Sequence, residues 1–199
     1  MPAATNPSSP PTNAANQHDH APRRRLPARP RSLSALELEH FIPDLTGLLT
    51  DAVSSGASLG FIPPLTYRDA ETYWRSLVPE LRAGSRLLLA TFLEGQLVGS
   101  AQLAFPVWSN ARHRVEIQKV FVASEIRGRG LGRALMTALH DAARQRGRDL
   151  IVLGTRRGDP AERFYRQLGY REAGVIPGYT TDAGGERRDH VSMYRQLSI

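Results

Sequence analysis

Gly128, Gly130 and Gly132 fall within five residues and alternate with Arg127, Arg129, Leu131 and Arg133. Before them runs Val120-Phe121-Val122, an extended apolar stretch. After them Leu131, Leu135, Leu139 and Ala142 recur every three or four positions, which predicts an amphipathic helix stopped at Gly147. A strand that must pass into a helix through so many glycines turns tightly and aims its amide protons at one point. Those amides, the positive end of the helix dipole and the neighbouring arginines suit an anion such as a pyrophosphate. A β-to-α turn without a ligand would read the same way from glycine spacing alone.

Two nucleotide-binding patterns are excluded at this turn. Counted from Gly128, the third glycine of G-x-G-x-x-G would have to stand at Arg133, and no G-K-[ST] follows for a Walker loop.

The surrounding pattern predicts an α/β domain. Apolar spacing from Leu36 to Val53 predicts a helix reaching about Ser54, interrupted by Pro43 and ended by Gly56. Thr66 and Asp69 have the spacing of a capping box and open a second helix through Tyr73, Trp74 and Leu77. Segments 86–93, 97–107 and 114–122 read as three antiparallel strands. A buried strand over 150–153 precedes a short helix, with Asp159 as N-cap, Pro160 in its first turn and Gly169 after its end. Two last strands lie near 170–173 and 190–197. The domain is expected to span residues 33–199.

Residues 1–32 differ in kind. Seven of the fourteen prolines stand before Ser32, with a single leucine, Leu26, a composition too poor in apolar side chains to offset ordering entropy, which predicts a disordered tail. Arg23, Arg24, Arg25, Arg29 and Arg31 against Asp19 put four of the seven net positive charges there. The remainder is only mildly basic, and no nucleic-acid recognition motif accompanies the charge, so no specific nucleic-acid partner is expected. No apolar run approaches the ~20 residues that cross a bilayer, so no membrane partner is expected either. With no cysteine in the chain there can be no disulfide and no acetyl-cysteine intermediate, and a reducing cytoplasmic location is compatible. Monomer and homodimer both remain open.

Together these residues resemble the GNAT superfamily of N-acetyltransferases. Its motif R-x-x-G-x-G matches Arg127, Gly130 and Gly132 after a strand ending Val-Phe-Val, and Ala161-Glu162-Arg163-Phe164-Tyr165-Arg166-Gln167-Leu168-Gly169-Tyr170 resembles its A-x-x-F-Y-x-x-L-G-F/Y segment. Residues 56–65, the Tyr73-Trp74 pair and Gly174-Val175-Ile176-Pro177-Gly178-Tyr179 are similar to a narrower group that includes the tabtoxin resistance protein.

The resemblance implies a mixed, twisted, largely antiparallel sheet splayed between its fourth and fifth strands and flanked by about four helices, with acetyl-CoA in the gap. Its pantetheine arm would pair with the main chain of Val120, Phe121 and Val122. The main chain of Arg127, Gly128, Arg129, Gly130, Leu131, Gly132, Arg133 and Ala134 would hold the pyrophosphate.

An amine attacks a thioester only as the free base, and a lysine-like amine with pKa about 10.4 is protonated at neutral pH, so a base is required. Glu116 is the candidate. Strand alternation would put it on the side of Gln118, Val120 and Val122, and the resemblance carries a catalytic carboxylate onto it; a salt-bridged strand glutamate is the other reading. Tyr165 is, by resemblance, the acid for the departing thiolate; it is alternatively a buried helix residue. Phe61, Tyr73, Trp74, Trp108 and Tyr179 are candidate walls of an acceptor pocket or parts of the core.

Two positions depart from the resembled pattern: Gly154 stands where the narrower group would carry a carboxylate, and Gly158 where many members carry an asparagine. The expected activity is acetyl transfer from acetyl-CoA to a primary amine of a small molecule. Transfer to a protein N-terminus or lysine, and a silent acyl-CoA-binding module, are the alternatives.

Overall fold

The computed structural model describes residues 29–198; the greater part of the expected tail lies outside the described residues. Seven strands form one sheet: β1 (Arg31–Leu33), β2 (Arg86–Leu93), β3 (Gln96–Ala104), β4 (Arg114–Val122), β5 (Leu150–Arg156), β6 (Arg171–Thr181) and β7 (Arg187–Gln196), in the order β1-β2-β3-β4-β5-β7-β6. All neighbours are antiparallel except β4 and β5. That parallel pair joins only Arg114, Val115 and Glu116 to Leu150, Ile151 and Val152. Beyond Glu116 the two strands part, giving the expected splay.

Helix α1 (Ala35–Ser54) runs unbroken through Pro43. The proline removes one backbone hydrogen bond, while Leu38, Ile42, Leu45 and Leu49 are fully buried along one stripe. Burying each such side chain contributes about 1.5–3 kcal/mol, enough to outweigh the lost bond. Its N-terminus carries a complete capping box that the sequence reading missed: Ser34 Oγ accepts from Glu37 N at 3.2 Å and Glu37 Oε2 accepts from Ser34 N at 2.8 Å. At the start of α2 (Tyr67–Ser76) only half of the expected box forms. Thr66 Oγ1 accepts from Asp69 N, but the Asp69 carboxylate takes the Thr66 hydroxyl proton and not the backbone N–H. A one-turn helix, α3 (Val78–Arg82), follows.

On one face of the sheet α1 and α2 cover Leu88, Ala90 and Phe121. On the other, α4 (Leu131–Arg144) and α5 (Pro160–Gln167) bury Leu131, Leu135, Met136, Leu139 and Tyr165 against Val115, Ile117, Ile151 and Met193. The buried polar pair His140 Nε2 and Tyr170 Oη, 2.8 Å apart, ties α4 to the segment after α5.

Several boundaries move. β1 was not foreseen, and ordered pairing begins at Arg31, ahead of the expected domain start at 33. β3 stops at Ala104 instead of 107, because Pro106 has no N–H for the ladder. β5, β6 and β7 are longer than expected, as pairing in the β6–β7 hairpin carries polar stretches that have little strand signature. Among the described residues no helix is long and apolar enough to cross a membrane.

Candidate active site

A cavity of about 710 Å³ opens where β4 and β5 separate. Register fixes what each wall offers. Glu116 lies beside Val152, Gly154 beside Ser192 and Arg156 beside His190, so Glu116, Gly154, Ser192 and His190 share the face covered by α1 and α2. Tyr165 reaches the cavity from the opposite face, on α5.

The expected alternation along β4 fails beyond Gln118. Gln102 of β3 pairs with Gln118 and Ser100 with Phe121, so two steps on β3 face three on β4: a β-bulge at Lys119 and Val120, with Lys119 at φ +50°. The extra residue reverses the faces. Val120 and Val122 therefore pack with the α4 core, opposite Glu116 and Gln118, while Phe121 joins the α1 and α2 core. A bulge leaves no mark in hydrophobic periodicity here, because Val120, Phe121 and Val122 are all apolar.

Glu116 is half-buried on the cavity wall, and among the described residues its carboxylate has no hydrogen bond or salt bridge. Gln118 instead accepts from Arg86 Nη1 at 2.9 Å, as does Gln102 at 2.8 Å. The Tyr165 ring is buried, and burial pushes its phenol up to about 12, so it keeps its proton at neutral pH. Its hydroxyl has no hydrogen-bond partner among the described residues and lines the cavity.

At the cavity mouth lies the glycine-rich turn. Gly128 and Gly130 have φ of +79° and +90°, a region that costs other residues strain, and Gly130 is the N-cap of α4. Ala134 N is the first α4 amide bonded back into the helix, to Gly130 O, so the amides of Leu131, Gly132 and Arg133 have no intrahelical acceptor. Two ties fix the turn against α1: Ser124 donates to both Asp51 carboxylate oxygens, at 2.8 and 2.7 Å, and Arg127 Nη2 donates to Ser55 Oγ at 2.7 Å. Arg127 Nε also donates to Val122 O at 3.1 Å. Of the expected cofactor residues, Val120 and Arg127 line the cavity itself. Gly128, Arg129, Gly130, Leu131, Gly132, Arg133 and Ala134 form the turn and the helix start, while the side chains of Phe121 and Val122 are core.

The expected aromatic wall is corrected. Trp74 is fully buried and Trp108 is an exposed surface residue, so neither meets the cavity. Phe61 and Tyr73 stack edge-on, 5.4 Å apart, behind it, and Tyr179 lies on it. What Phe61 and Tyr73 do hold is Lys119, the chain's single lysine: its Nζ is 5.2 and 5.3 Å from the two ring centroids and donates to Leu59 O at 2.7 Å. Burial holds this amine below its ordinary range. Asp159 does not cap α5 with its side chain; its carboxylate takes Arg156 Nε at 2.9 Å instead.

A sheet parted between parallel strands, with a glycine-arginine turn opening a helix at the gap, is the architecture of a GNAT-type acyltransferase. The chain belongs to the Acetyltransferase (GNAT) family, whose model matches residues 56–170. Among curated relatives, the streptothricin acetyltransferase of Streptomyces lavendulae is 35% identical over 56% of this chain and 59% of its own length. An L-methionine sulfoximine/L-methionine sulfone acetyltransferase of Pseudomonas aeruginosa is 26% identical over 68% of this chain and 78% of its own. Among solved structures, a ribosomal-protein-alanine N-acetyltransferase from Brucella melitensis superposes with a TM-score of 0.70 at 29% identity, covering 85% of this chain and 99% of that one. A fold neighbour from Salmonella typhimurium, with a TM-score of 0.68 at 21% identity over 86% of this chain and 94% of that one, was solved with its cofactor acetyl-CoA.

Proposed function

We propose that this protein transfers the acetyl group of acetyl-CoA to a primary amine of a small molecule, by direct attack within a ternary complex. The observation that carries the reading is the gap itself, with an ionisable carboxylate on one wall, a protonated phenol on the other and unpaired amides at its mouth. The residues fit the cofactor. The amides of Leu131, Gly132 and Arg133, with Arg127 and Arg129 beside them, would hold the pyrophosphate, and the edge of β4 left open beyond Glu116 would take the pantetheine arm. Bound there, acetyl-CoA supplies an activated acyl group as a thioester.

The roles follow from the two faces. The acceptor ammonium gives up its proton, directly or through water, on the α1 and α2 side, where the Glu116 carboxylate stabilises the positive charge. Tyr165 protonates the departing sulfur from the α5 side. Attack and departure thus use separate protic groups on opposite walls. The names of the curated relatives, which specify streptothricin and a methionine analogue, support a small amine over a protein. The cytoplasm, where acetyl-CoA and small amines meet, is the compartment we infer.

The test is amine-dependent thiol release from acetyl-CoA across amino acids, aminoglycosides, polyamines and short peptides. Glu116→Gln and Tyr165→Phe are each expected to lower kcat by about 10²–10⁴-fold, the range of general acid-base catalysis. Unchanged turnover in both variants contradicts the assigned roles, and release with peptides alone moves the acceptor to a protein.

A further inference from the structure

Gly154 is bare for a visible reason. A Cβ built there would collide with Cε1 and Nε2 of His190, with Nδ1 at 3.3 Å, so the imidazole lies across the glycine and occupies the space of any side chain at 154. This position is not a hole in the site; it is filled from the neighbouring strand β7. Tyr179 on β6 packs against the other side of the ring, with centroids 4.6 Å apart. Held between Gly154 and Tyr179, the imidazole lines the cavity on the same face as Glu116. Neither ring nitrogen has a hydrogen bond within the described residues.

We propose that His190 is the group that takes the proton from the acceptor amine, with Glu116 on the same wall holding the resulting imidazolium. The inference rests on the transferase reading and assigns the base within it.

The groups that face the imidazole come from three strands. From β4 comes the Glu116 carboxylate, which raises the affinity of the imidazole for a proton against the effect of burial, which lowers it. From β5 comes Arg156, level with His190 in register but engaged by Asp159 at 2.9 Å. From β6 comes the Tyr179 ring, packed on the imidazole. Burial outweighs Glu116 and holds the imidazole below its ordinary range, so at physiological pH it is neutral and has a nitrogen lone pair to offer.

The proton count closes. The ammonium gives one proton to His190, which releases it to solvent after turnover. The free amine forms the C–N bond to the thioester carbonyl carbon. As the C–S bond breaks, Tyr165 gives its proton to sulfur, and the second proton lost by nitrogen restores the phenol through water. The products are the N-acetyl amine, the free thiol of CoA and one proton.

The experiment is a pH profile of kcat/KM for the wild-type protein, His190→Ala, His190→Gln and the double variant Gly154→Asp/His190→Ala. The wild type is expected to lose activity on an acidic limb lying below the ordinary imidazole value of about 6.5. Both single variants are expected to fall by about 10²–10⁴-fold and lose that limb. In the double variant, removal of the imidazole opens the space for a carboxylate from β5, and at least a tenfold recovery over His190→Ala is expected. Single variants that keep the wild-type rate and limb overturn the role of His190 while leaving the transferase intact. A wild-type protein that binds acetyl-CoA yet releases no thiol with any acceptor overturns the transferase reading, and this one with it.

Discussion

The two walls of the cavity are built on different principles. The wall on the α4 and α5 side presents backbone: a turn whose glycines and helix start leave amides unpaired, with a tyrosine projecting from a short helix above it. The wall on the α1 and α2 side presents side chains, Glu116 from β4 and His190 from β7, brought together by strand register across residues far apart in the chain. Backbone recognition suits a cofactor that is the same in every turnover. Side-chain recognition suits the acceptor, the partner that varies between members of a fold.

The comparison can be broken most severely at Tyr165. If the α5 wall serves only the leaving group, Tyr165→Phe lowers kcat by about 10²–10⁴-fold and leaves the KM for both substrates within about twofold; a matched rise in acceptor KM would move Tyr165 to the other wall.

That asymmetry also decides what could be read from the sequence. The turn, the helix after it and the segment around Tyr165 are local patterns, and all stand where expected. The splay was expected from resemblance, and β4–β5 pairing that ends at Glu116 agrees with it. His190 escaped notice because its role depends on a register between β5 and β7 that no local spacing encodes, although Gly154 inside an otherwise apolar strand was the available signal. Trp74 stayed open between pocket and core because an aromatic residue on an amphipathic helix looks the same whether the helix faces a core or a pocket. The β4 bulge was invisible for a related reason: its flanks are apolar on both faces.

A second test separates binding from chemistry. Gly130→Val forces a β-branched residue to φ +90° at the α4 N-cap, a conformation that costs such residues about 1–3 kcal/mol. Acetyl-CoA affinity measured by calorimetry is expected to fall at least about tenfold, with the acceptor KM little changed once cofactor is saturating.

Two smaller effects concern stability, one on each wall. Burial, with the positive charges of Arg195 and Arg144 and offset in part by Asp141, lowers His140 to about 4. Between an ordinary value near 6.5 and about 4 the unfolded chain takes up a proton at this site that the folded chain refuses. Stability supported by neutral His140 is thus complete above pH about 6.5 and lost as pH falls toward 4. Melting temperatures across that window should decline, and the slope should flatten in His140→Gln if the site is responsible. On the α1 side, Ser34→Ala removes an N-cap and is expected to cost about 1 kcal/mol in denaturant unfolding, with kinetics unchanged.

The central claim is that acetyl-CoA threads the gap, with leaving-group and acceptor chemistry on opposite walls. A crystal structure with acetyl-CoA tests it most directly. The account predicts the pyrophosphate on the amides of Leu131, Gly132 and Arg133, the sulfur within hydrogen-bonding reach of Tyr165 Oη, and the carbonyl carbon open to the face of Glu116 and His190. A cofactor bound outside the β4–β5 gap, or a sulfur lying against Glu116 and His190 instead of Tyr165, would contradict it.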